Sequence, residues 1–124
     1  MLAGIYNITC QQGSTFTRTI TLNYPDPLSP PSDPTYLPWN LTGYTARMQV
    51  RRTIDSSTVL LNLTTGGGGI TLGGSSGVIE IYISAANTAT LTSSGVYDLE
   101  IISTTGVVDR ILQGNFTLSQ EVTR

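Results

Sequence analysis

Apolar and polar residues alternate with a period of two along most of this chain, the mark of strands with one buried and one solvated face. In Phe16-Thr17-Arg18-Thr19-Ile20-Thr21-Leu22, Phe16, Ile20 and Leu22 share one face and three threonines the other. Tyr44, Ala46, Met48 and Val50 do the same over 44–51, and Val59 to Leu63 is a shorter run. Ile79, Ile81 and Ile83 share a face over 78–83, opposite Glu80 and Tyr82. Over 96–101, Tyr97, Leu99 and Ile101 face inward and Asp98 and Glu100 outward. A last strand over about 107–118 turns Leu112, Phe116 and Leu118 inward, and an opening strand near 5–9 makes about seven.

Turn chemistry separates these runs. Gln11-Gln12-Gly13-Ser14 breaks the first pair, and Thr104-Thr105-Gly106 reads as the hairpin turn between the last two strands. Glycine-rich stretches at 66–69 and 73–77 flank Ile70-Thr71-Leu72, a candidate eighth strand. Two segments depart from alternation. Residues 84–91 lack it, and Ser84 is placed to cap one or two helical turns crossing an end of the fold. Residues 23–40 hold all six prolines, so they are excluded from any central strand and read as an inserted loop. Seven to eight short strands with regular turns predict an all-β sandwich, a single domain over 1–124.

Composition supports this. Thr and Ser exceed a quarter of the 124 residues, and β-branched threonine suits a half-solvated pleated surface. The chain has no His and no Lys, which removes Ser-His-Asp and Cys-His nucleophilic systems, His-based zinc sites, P-loops and Schiff-base lysines. A net charge of −2 offers no basic surface for nucleic acid. No stretch approaches the length needed to cross a membrane. Cys10 is alone, so no intrachain disulfide forms, and with no basic neighbour it reads as a buried, inert thiol. The N-terminus lacks the basic and apolar regions of a signal peptide, so synthesis in a reducing cytoplasm is expected. Asp98 and Glu100 project from one strand face, placed near Asp109 or Arg110 across the final hairpin, and a solvated face carrying cross-strand ion pairs explains them better than glycosidase chemistry. No enzymatic activity, cofactor or metal is expected.

Several strings resemble small structural proteins of tailed phages. Gln12-Gly13-Ser14-Thr15-Phe16-Thr17-Arg18-Thr19-Ile20 is similar to their "QG-x-T-x-x-R-x-I" opening, and 40–51 (NLTGYTARMQVR) to a "DLTGYTARMQIR" segment. Gly95-Val96-Tyr97-Asp98-Leu99-Glu100 and Val108-Asp109-Arg110-Ile111-Leu112-Gln113-Gly114 match "YDLE" and "R-x-L-x-G" elements. The end, 119–124 (SQEVTR), is similar to "SPEVTR" with Gln120 in place of Pro. In order, these cover nearly the whole chain. The resemblance is to immunoglobulin-like domains of tailed-phage virions, including the N-terminal domain of upper baseplate proteins. It implies an immunoglobulin-like β-sandwich, a structural role and no catalytic residue. This sequence departs before Asn40, where relatives carry a short turn instead of a Pro-rich excursion.

The expected function is therefore that of a virion structural or adaptor protein of the neck, tail or baseplate, repeated in a symmetric assembly and contacting other virion proteins. A capsid decoration protein and a carbohydrate-binding module are the alternatives. The candidate contact residues are Tyr24, Leu28, Tyr36, Leu37 and Trp39 of the Pro-rich loop, with Trp39 and Leu41 alternatively tucked back to cap the sandwich. Arg47, Arg51 and Arg52 form the second candidate surface, with Arg47 and Arg51 either pairing with Asp98 and Glu100 or meeting a partner. Gly43 is expected to hold a backbone conformation that a Cβ would resist.

Overall fold

A computed structural model describes residues 3–123. Strands make up 51% of the described residues and helix 7%, the all-β class that the alternation predicts. In chain order the strands are β1 (Gly4–Ile5), β2 (Ile8–Gln11), β3 (Phe16–Thr21), β4 (Asn23–Pro25), β5 (Tyr36–Pro38) and β6 (Thr45–Arg51). There follow β7 (Val59–Thr64), β8 (Ile70–Leu72), β9 (Val78–Ile83), helix α1 (Ala85–Ala89), β10 (Gly95–Ile102) and β11 (Val108–Ser119). One sheet has the order β1-β11-β10-β6-β7, with β2 also on β11, and a second has the order β3-β9-β8. Strands β4 and β5 form a separate two-stranded ribbon.

The inward residues of both sheets meet in one core. Ala46, Met48, Val50, Tyr97, Leu99, Ile101 and Phe116 come from the larger sheet, and Phe16, Ile70, Ile79, Ile81 and Ile83 from the smaller. Leu99, Ile79 and Phe116 are wholly buried, each contributing about 1.5–3 kcal/mol by leaving water. Tyr97 joins them because its hydroxyl donates to the Tyr6 carbonyl, satisfying a polar atom that burial would otherwise strand. Ser84 caps α1 as expected, accepting from Asn87 N–H at 3.1 Å. The wholly buried Thr88 donates to the Ser14 carbonyl at 2.8 Å and ties the helix to the turn before β3.

Three expectations are corrected. The opening strand is broken at Tyr6–Asn7, because Asn7 Oδ1 takes the Asn115 N–H at 3.0 Å in place of a backbone acceptor. Gly114 stands at this break, where a Cβ would collide with the Tyr6 carbonyl. In β11, Leu99 faces Leu112 but Glu100 faces Arg110, so Ile111 is an extra residue. That bulge buries Ile111 and leaves Leu112 half-buried, although simple alternation puts Leu112 inward with Phe116 and Leu118. Lastly, the Pro-rich segment, expected as an inserted loop, is paired at its two ends as a β-ribbon. Both its strands are edges, so Pro25 and Pro38 need no ladder partner for a missing N–H.

The edges of the main sheets are uneven. Strand β3 turns Arg18 to the same side as Phe16 and Ile20, with its guanidinium 5.1 Å from the Phe16 ring centre and 5.9 Å from that of Tyr6. Arg18 Nε is buried and has no acceptor among the described residues. Strand β8 has three residues, and β7 is bulged, since Val50 faces Leu61 and Arg51 faces Val59.

Candidate functional site

The ribbon of β4 and β5 leaves the body through a tight neck. Leu22 N–H donates to the Gly77 carbonyl at 2.8 Å and Trp39 N–H to the Leu22 carbonyl at 2.9 Å, pinning both ends of the excursion. Beyond it the prolines set the turns. Pro27 takes the second position of the Asp26–Ser29 turn, closed by Ser29 N–H to the Asp26 carbonyl at 3.1 Å. Asp26 Oδ1 also accepts from Leu28 N–H at 2.9 Å. Pro31 does the same in Pro30–Asp33, where Asp33 N–H reaches the Pro30 carbonyl at 3.0 Å. Two fixed turns and a three-pair ribbon make this an arm of restricted backbone, which loses little entropy when it docks.

The arm's apolar residues divide between its faces. Tyr24 pairs with Leu37 on one side, and Pro25 pairs with Tyr36 on the other. Tyr24, Tyr36 and Leu37 are all exposed, and Leu28 at the tip is 91% exposed. Trp39 behaves differently: it is half-buried against the core, and its Nε1 lies 3.5 Å from the Tyr44 hydroxyl. With Leu41 buried beside it, Trp39 caps the body and leaves the other four as the arm's surface. Gly43 follows with φ +79°, and a Cβ there would press on the Thr104 methyl.

The three arginines do not form one surface. Arg47 Nε lies 2.7 Å from Glu100 Oε1, the cross-strand pairing the sequence predicts. Arg51 does not pair with either acid. It donates to the Ser56 carbonyl at 2.7 Å and to Gln49 Oε1 at 2.9 Å, bracing the turn after β6. Arg52 lies past the strand end and reaches Ser93 Oγ at 3.4 Å. Asp98 pairs with Arg110, Nε to Oδ2 at 3.4 Å.

The outer face of the larger sheet holds a depression that alternation alone does not reveal. One row of cross-strand neighbours runs Ile5–Gln113–Asp98–Gln49, and the next runs Asn115–Val96–Arg51. Together with Ile54 from the turn after β6 and Arg110, they line a concavity of about 560 Å³. Ile5 and Ile54 are 79% and 85% exposed at its opposite sides. Neither was singled out from the sequence, where the one signal was an isoleucine standing in a polar turn. No arm residue lines this depression.

The remaining reactive groups are quiet. Burial pushes the Cys10 thiol up from its ordinary range, which disfavours the thiolate. Burial, and then the Tyr6 phenol nearby, push Tyr97 up to about 12. No cluster of three or more metal-ligating side chains occurs among the described residues. Among those residues no helix is long and apolar enough to cross a membrane. Gln12, absent from the expected site, fixes the end near α1: its amide donates to the Leu91 carbonyl and accepts from Glu121 N–H, both at 2.9 Å. No protein-family model matches the chain, and a search of curated proteins gives no match.

Proposed function

We propose that this chain is a non-enzymatic structural or adaptor module of a tailed-phage virion, an immunoglobulin-like β-sandwich repeated around a symmetric ring at the neck, tail or baseplate. The observation that carries this reading is the protruding arm on a body whose strand order suits that fold. The larger sheet, β1/β2-β11-β10-β6-β7, corresponds to an A-G-F-C-C′ order, and β3-β9-β8 to B-E-D. The virion assignment rests on the ordered motif resemblance, and several of the residues carrying it have construction roles. Gln12 bridges two chain segments, Gly43 takes a positive φ, and Gly114 admits the Tyr6–Asn7 break between β1 and β2.

The arm supports an adaptor role because exposed Leu28, Tyr36 and Tyr24 sit on a stiff, proline-set backbone. A sugar-binding reading is less well supported. Tyr24 and Tyr36 face opposite sides of the ribbon and Trp39 is half-buried, so the three make no shared stacking platform. The test is mass spectrometry of purified particles followed by electron cryomicroscopy. The expected result is density for the chain in a fixed copy number at one symmetric position. Its absence from purified particles overturns the reading, and a position on the capsid lattice favours decoration over the tail.

A further inference from the structure

We infer that the arm of one copy seats in the outer-face depression of the next, joining copies of this chain head to tail. The inference rests on the reading of the arm as an assembly contact and names its partner.

Charge favours the fit. The arm carries Asp26 and Asp33 and no basic residue, a charge of −2. Among the groups lining the depression, Arg51 and Arg110 outweigh Asp98, leaving +1. Apolar groups match as well: Leu28 and Tyr36 project from the arm, and Ile5 and Ile54 stand exposed at the depression's sides. The mixed lining of amides and ions suits a polar-rimmed contact around a small apolar centre.

Position decides the symmetry. Through Trp39 the arm's neck meets Tyr44, just before the start of β6, and neighbouring Gly43 lies against the Thr104 turn. The depression extends to the far end of the same sheet, where Arg51, Val96 and Asn115 lie in one row. Seven residues of β6 separate the two ends, about 20 Å at strand rise. Two different patches at opposite ends make a heterologous contact, which closes into a ring or runs on as a filament.

The experiment is sedimentation velocity on the full chain up to about 1 mM, where even a contact of millimolar dissociation constant is roughly 40% populated. The wild type is expected to form species larger than a dimer. Leu28→Asp blocks the arm and Ile54→Asp blocks the depression, and each weakens self-association by about tenfold or more. Mixed together, the two variants keep one live arm and one live depression, so they form a 1:1 dimer that grows no further. Both positions are solvent-exposed, and matching thermal unfolding curves verify folding. Ile5→Asp serves as a second block of the depression. A wild type that stays monomeric, a mixture that gives no dimer, or assembly that survives both variants overturns the inference. If the monomeric result coincides with an arm-shortened chain being lost from particles, the arm meets another virion protein and the adaptor reading stands. If the chain is absent from particles but the mixed dimer forms, the inference survives that reading.

Discussion

Replacing Tyr97 with Phe removes one oxygen from the core and should change how stability depends on pH. Tyr97 is 4% exposed and its hydroxyl donates to the Tyr6 carbonyl. Loss of that bond leaves the carbonyl short of a donor and costs about 1–2 kcal/mol near neutral pH. For a domain of this size that lowers the melting temperature by about 4–8 °C. The folded phenol titrates at about 12 against 10.0 for the free group. A raised folded pKa contributes stability in full below pH 10, and that contribution is lost as pH climbs from 10 through 12. Two pKa units correspond to about 2–3 kcal/mol, comparable to or larger than the hydrogen bond itself. The wild type should therefore lead Tyr97→Phe at pH 7–9, and the lead should shrink and vanish between pH 10 and 12. Urea unfolding followed by circular dichroism at matched ionic strength measures both curves. A gap that stays constant across that range would refute the reasoning, because it would mean the phenol ionises as easily folded as unfolded.

Three other outcomes are expected. Replacing residues 25–37 with a short Gly-Ser turn, with Trp39 kept, should leave thermal unfolding of the isolated domain within about 0.5 kcal/mol of wild type while removing the chain from particles, as assembly assays on both would register. Cys10 should resist a thiol reagent such as dithionitrobenzoate in the native protein and react at once in denaturant, and fast labelling of the folded chain would contradict its burial. A double-mutant cycle on Arg47→Ala and Glu100→Ala should give a coupling of about 0.2–1 kcal/mol that fades with added salt, since Arg47 is half in solvent.

The strands that bury one face were legible from sequence. Over β6, β9 and β10 each inward residue is apolar and the period of two runs unbroken. Legibility failed where the backbone departs from that period. The bulge that buries Ile111 depends on how β11 meets β10, and no local pattern records it. The arm's pairing was hidden because prolines that exclude a central strand are tolerated in a ribbon with two free edges. Among site residues, the pairing of Arg47 with Glu100 follows from simple facing positions, whereas Arg51 is diverted to a turn carbonyl that forms only once the chain bends at Ser56. The depression was the least legible feature. Its lining comes from four separate stretches of chain, brought together by cross-strand register.

The inward-turned Arg18 bears on solubility. A sheet with open edges risks polymerising through them. Residues 16–20 would be a hazard without the arginine: a β-prone run of aromatic, threonine and isoleucine on an unpaired edge. An incoming strand that zipped onto β3 would further cover a guanidinium whose Nε already has no acceptor among the described residues. The rings of Phe16 and Tyr6 beside the guanidinium offset part of the cost its buried nitrogen already imposes on the native fold, and an added strand would raise that cost further. A charged side chain turned inward on an edge strand is one of the devices that discourage edge-to-edge pairing, and Arg18 stands on the edge where β3 needs one.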